Sequence, residues 1–98
     1  MAIEVHVTAR VESGGLADFT EAVQRYQAYA RDHGYAVARV LFGLAGEMNT
    51  VRLVYQYDDL NSYDAHEVRT LTDRGYAEVA QQMRLVDGSV RYEVYRET

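Results

Sequence analysis

The sequence predicts an α+β fold of ferredoxin-like type, a four-stranded antiparallel sheet with helices on one face. Three features point there. Alternating apolar and polar residues occupy both ends of the chain, a long stretch of helical spacing follows the first alternation, and two β-rich runs in the middle flank a glycine-containing loop. In order the elements are βαββαβ, and short connections then place the first strand centrally, between the third and the fourth.

Each element has a local reason. In residues 3–11, Ile3, Val5, Val7, Ala9 and Val11 alternate with Glu4, His6, Thr8 and Arg10, so the first strand has two unlike faces. Ser13, Gly14 and Gly15 break it. Leu16, Phe19, Ala22, Val23, Tyr26 and Ala30 then recur on one helix face over about 16–33, Glu21 and Arg25 stand at ion-pair spacing, and Gly34 suits the left-handed stop. Residues 36–42 and 50–57, rich in Val, Leu, Phe and Tyr, read as strands two and three around a hairpin loop, 43–49. Asp58 or Asp59 can cap a helix over 60–68, and Thr70 or Thr72 can restart it through about 84, so the second helical region is broken. Tyr76, Val79, Ala80 and Met83 share a face there. Asp87 and Gly88 turn the chain into a last strand, where Val90, Tyr92 and Val94 alternate with Arg91, Glu93 and Tyr95.

Composition closes several routes. The 98 residues suffice for one domain, 1–98, and a chain this short buries only about two-thirds of the surface exposed when unfolded, which makes self-association a natural way to hide more. The 48% hydrophobic and 26% charged content is that of a folded globule. Without Cys there are no disulfides, thiolate nucleophiles or Cys-ligated metals; all 10 basic residues are Arg, so Schiff-base chemistry and a phosphate-loop lysine are also closed. A net charge of -5 and a pI near 5.0 repel a phosphate backbone, and no apolar run approaches ~18 residues, so neither nucleic acid nor a membrane is an expected partner. The start of the chain does not look like a leader, and a soluble cytoplasmic protein is expected. Arg in place of Lys, many Val and Ala, and a single Ile fit a G+C-rich bacterial genome.

The sheet face away from the helices asks for an explanation, because its residues are mixed. If Val5, Val7, Val51, Leu53, Val90 and Val94 pack under the helices, the open face carries His6, Thr8, Arg10, Arg39, Leu41, Arg52, Val54, Gln56, Arg91, Glu93 and Tyr95. Either water covers it, or a second copy of the chain does, closing a barrel around a pocket.

The stretch from Tyr55 to Glu67, which runs Tyr-Gln-Tyr-Asp-Asp-Leu-Asn-Ser-Tyr-Asp-Ala-His-Glu, resembles the strand–Asp–helix–Ala-His pattern of antibiotic-biosynthesis-monooxygenase-like proteins. These belong to the dimeric α+β barrel superfamily, which also holds NIPSNAP-like, EthD-like and stress-responsive barrels. The resemblance implies a homodimer whose sheets face each other, with a mostly apolar ligand cavity inside the barrel or between each sheet and its helices. It favours the second copy as the cover of the open face. Relatives that degrade haem depend on an Asn, a Trp and a helical His; this chain has no Trp and no Asn in strand one, so His66 alone does not carry that activity across. The compatible relatives oxidise polycyclic anthrones with no metal or flavin, the substrate itself supplying the electrons.

The residues able to do chemistry fall on these elements. His6, on a central strand with Arg52 or Gln56 to one side and Glu93 to the other, is the first candidate for moving a proton; a histidine at a polar face or dimer contact would look the same. Arg39 and Arg52, on neighbouring strands, could hold an oxyanion by forked hydrogen bonds, or pair with Glu4 or Glu93. His66 lies near a helix end, where packing or capping explains it as well as a ligand does. No Cys or His partner stands at metal spacing, so no metal is expected. The 9 Tyr suit a flat organic ligand, a dimer interface or the core, and Tyr55, Tyr57, Tyr92 and Tyr95 are the pocket candidates beside Gln56. The resulting expectation is a small cofactor-free enzyme of bacterial secondary metabolism acting on a hydrophobic or aromatic, polyketide-like molecule by proton abstraction, followed by oxygenation, cyclisation or isomerisation. A non-catalytic binding or dimerisation module is the other reading.

Overall fold

The computed structural model describes residues 2–43 and 49–98. Its elements are β1 (Ile3–Arg10), α1 (Leu16–Asp32), β2 (Arg39–Phe42), β3 (Thr50–Tyr57), α2 (Leu60–Leu71), α3 (Arg74–Gln81) and β4 (Arg91–Arg96). The sheet is antiparallel in the order β2-β3-β1-β4, so β1 is central as its two-faced alternation required. The hairpin between β2 and β3 is closed by Gly43 N–H donating to the Thr50 carbonyl at 3.1 Å. The loop expected at 43–49 otherwise lies outside the described residues.

The core sits between the sheet and α1. Ile3, Val5, Val7 and Ala9 of β1 and Val51, Leu53 and Tyr55 of β3 face Phe19, Ala22, Val23 and Tyr26, and all are buried. Burial of each large apolar side chain is worth about 1.5–3 kcal/mol, which is what holds so short a chain together.

Several expectations need correcting. β2 starts at Arg39, not 36, because the preceding Ala38 is buried and its carbonyl accepts from the Gln27 side chain at 3.0 Å instead of joining a ladder. The helix after β3 is capped by Asp59, which accepts from Ser62 N–H at 2.7 Å, and continues past 68 to Leu71. It restarts at Arg74 under a cap from Asp73, neither Thr70 nor Thr72. Glu21 and Arg25 do not pair; Arg25 donates to Gln82 at 2.8 Å, tying α1 to the end of α3. Val90 and Val94 are not covered, being 40% and 47% exposed. They lie on the helix side of the edge strand, but α2 packs on β3 and α3 on α1, so no helix roofs β4. Among the described residues no helix is long and apolar enough to cross a membrane.

Candidate functional site

Strand alternation sends Tyr55 and Tyr57 to the helix side of β3, with Val51 and Leu53, while Arg52, Val54 and Gln56 point the other way. The Asp59 cap sets the phase of α2 so that His66 and Thr70, one turn apart, face inward. Thr70 closes that turn by donating to the His66 carbonyl at 3.1 Å. The Asp73 cap does the same for α3 and turns Tyr76 inward.

Between these elements lies a cavity of 380 Å³. Its floor is Val5, Val7 and Leu53, its polar wall is Tyr26, Tyr55, Tyr57, Tyr63, Tyr76, His66 and Glu67, and Leu71, Val90 and Tyr92 stand at its mouth. The Tyr26 hydroxyl is hydrogen-bonded to the hydroxyls of both Tyr55 and Tyr76. Burial pushes all three phenols up, so each keeps its proton; two of the three protons serve the bonds among them and one remains to donate.

His66 is the unusual member. It is 7% exposed, its Nδ1 meets the Tyr57 hydroxyl at 3.1 Å, and its Nε2 is buried with no partner. An orphaned polar atom in a protein interior is costly and uncommon. Burial first, and the charge of Arg69 second, push the ring's pKa down, which keeps it neutral at neutral pH. Glu67 Oε1 lies 3.8 Å from Nδ1, and burial raises its carboxyl pKa.

A second layer fixes this wall. Asp73 accepts from the hydroxyls of Tyr35 at 2.6 Å and Tyr29 at 2.7 Å, and those bonds hold its pKa at about 2. Tyr35 in turn stands edge-on to the rings of His66 and Tyr76, at 5.7 and 5.4 Å between centroids.

The open face gathers the rest of the sequence-predicted residues. His6 Nδ1 accepts from Arg52 Nη1 at 3.0 Å, which leaves Nε2 to donate to Glu4 Oε1 at 2.6 Å. Both ring nitrogens are therefore engaged. The anion at His6 is Glu4, not Glu93: although Glu93 is opposite His6 in register, its carboxylate accepts from Tyr95 at 2.8 Å. Gln56 also donates to Glu4, at 3.3 Å, and the Tyr95 ring meets that of His6 edge-on at 4.8 Å. Arg39 is exposed at the far strand, opposite Val54.

The sheet thus separates two groups. Tyr55, Tyr57, His66 and Tyr92 line the cavity; His6, Arg39, Arg52, Gln56, Glu93 and Tyr95 lie behind it and cannot act on a molecule held there. Sequence reasoning missed Glu67, Tyr76 and Asp73 as parts of the site. The signal for Asp73 was its place three residues before Tyr76, the spacing of a helix cap.

The family model for NIPSNAP matches residues 7–93. The chain belongs to the NIPSNAP family. Its fold is that of solved NIPSNAP proteins: a NIPSNAP-like domain protein from Burkholderia xenovorans (14% identity, 99% of this chain and 85% of that one, TM-score 0.82) and a NIPSNAP family protein from Agrobacterium tumefaciens (14%, 100% and 94%, 0.79). An antibiotic-biosynthesis-monooxygenase-like protein from Caulobacter crescentus superposes on the same NIPSNAP fold (13%, 99% and 90%, 0.75). The resemblance read in residues 55–67 therefore stands at the level of family and fold. No curated protein matches the chain.

Proposed function

We propose that this NIPSNAP domain is a small cofactor-independent enzyme that holds a hydrophobic polycyclic or polyketide-like molecule in the tyrosine-walled cavity and moves a proton on it. The observation that carries the reading is the buried, unpartnered Nε2 of a neutral His66 in the same wall as three protonated phenols. A neutral imidazole is a base, and clustered phenols are an oxyanion site. A C–H beside a carbonyl gives its proton to His66, the electron pair moves to the carbonyl oxygen, and the phenol cluster donates its one uncommitted proton in a hydrogen bond to the oxygen as its charge grows. Glu67, beside His66, relays the proton. The enolate is then reprotonated at another carbon, closes a ring, or takes up O2; the first step is common to all three. The volume lies within the ~300–1,000 Å³ range of small-molecule sites.

The same reading includes a homodimer through the open face. Glu4 and Glu93 lie toward one end of that face and Arg10, Arg52 and Arg91 toward the other, with Arg39 in the row of Glu93, so a two-fold axis in the interface running across the strands would set the acidic end against the basic one.

The test is turnover of candidate polycyclic ketones and anthrones by the full chain and by His66→Ala. Turnover should fall ~100-fold or more while ligand affinity changes only a few-fold. Unchanged turnover removes His66 from the mechanism, and tight binding without conversion of any candidate assigns the domain to ligand binding alone.

A further inference from the structure

Resting on that reading of the cavity, we infer that its substrate is amphipathic: an oxygen-bearing head sits against the phenols, and an apolar body leaves through the mouth between α2 and β4. The two ends of the cavity differ in chemistry. At the inner end the hydroxyls of the buried Tyr26 and Tyr55 and the half-buried Tyr76 come together. At the mouth, Leu71 is 81% exposed and Tyr92 63%, and Val90 joins them. Large apolar side chains gathered at the edge of a cavity mark a binding groove more than a plain surface.

The fold explains why this patch exists. Val90, just before β4, and Tyr92 and Val94 on its helix-facing side lie where no helix covers them, so one wall of the cavity continues outward as bare apolar surface. An entirely apolar ligand would leave the cluster's one uncommitted phenol proton facing hydrocarbon, which costs the free energy of an unmade hydrogen bond. A compact polar ligand would leave the mouth wet. A molecule with an acceptor oxygen at one end and hydrocarbon at the other satisfies both, its body running past Leu71 and Tyr92 at the mouth.

The experiment is isothermal titration of the full chain with 4-alkylacetophenones, from the unsubstituted ketone to the hexyl derivative, and with alkylbenzenes of matched length. Affinity for the ketones should rise about fourfold for each methylene that reaches the mouth. The double variant Leu71→Ser, Tyr92→Ser should flatten that rise. Tyr76→Phe should weaken every ketone about fivefold and leave the alkylbenzenes unchanged. Equal affinity for ketones and alkylbenzenes would overturn the buried head, and an undiminished rise in the double variant would overturn the apolar body at the mouth. A change of oligomeric mass in the double variant would assign the patch to a contact between copies and so overturn the inference. If no ketone of any length binds, the cavity itself is not the site and the proposed function fails with it; ketone binding with no chain-length dependence defeats only the inference.

Discussion

His6 on the open face and His66 in the cavity wall differ at the level of single atoms. His6 has a donor on one nitrogen and an acceptor on the other; His66 has one nitrogen left over. That difference has a pH signature. The folded ring of His66 binds a proton less readily than the unfolded one, so its contribution to stability is complete above about pH 6.5 and is lost as pH falls toward its depressed folded value. Melting curves of His66→Gln should show a shallower fall between about pH 7 and 5 than the parent. Asp73 has the same sign at lower pH. With a carboxyl pKa of about 2 in the folded chain, it stabilises above about pH 4, and that part disappears as pH drops through 2. Asp73→Asn, which keeps a capping side chain, should lower the melting temperature at pH 7 and flatten the curve between pH 4 and 2. Nothing in the sequence foretold which histidine would have a buried nitrogen to spare, because that depends on surroundings brought from elsewhere in the chain, Tyr57 of β3 and Tyr35 before β2 among them.

At the scale of elements, α3 shows how packing overrides local preference. Gly75 lies in its first turn, where Ala would ordinarily favour the helix by about 0.5–1 kcal/mol. A Cβ there would sit 2.5 Å from the Tyr29 hydroxyl and 3.0 Å from Cζ, and that ring is held in place by Asp73 and by stacking on His33 at 3.9 Å. Gly75→Ala should therefore destabilise, by roughly 1–3 kcal/mol in urea unfolding, as overpacked sites do. The strands, the first helix and the Asp59 cap were legible because each rests on short-range spacing. The restart at Arg74 was placed one or three residues too early: Thr72 and Thr70 look like caps in isolation, but Thr70 is taken by the carbonyls of His66 and Glu67, and Thr72 by those of Val68 and Arg69. Competition for the same hydroxyl decided the boundary.

For the molecule as a whole, the open face is the side of the sheet that no helix covers, and the homodimer proposed for it has a direct check. Light scattering at micromolar concentration should give twice 11.2 kDa, and Leu41→Asp, which places a charge on an exposed apolar position of that face, should halve it. A particle of single-chain mass in the parent would leave the face to solvent. Alternation, helical spacing and turn residues, all local, were enough for the sequence alone to determine the order of elements, the central place of β1, the two faces of the sheet and the family pattern across Tyr55–Glu67. Only the tertiary structure decided that Tyr55, Tyr57, His66 and Tyr92 share one cavity while His6 and Arg52 stand behind the sheet, that β4 is left unroofed, and that one imidazole nitrogen has no partner. Those facts depend on where helices lean and which side chain reaches a hydroxyl first, and such long-range competition leaves no periodic trace in a chain of amino acids.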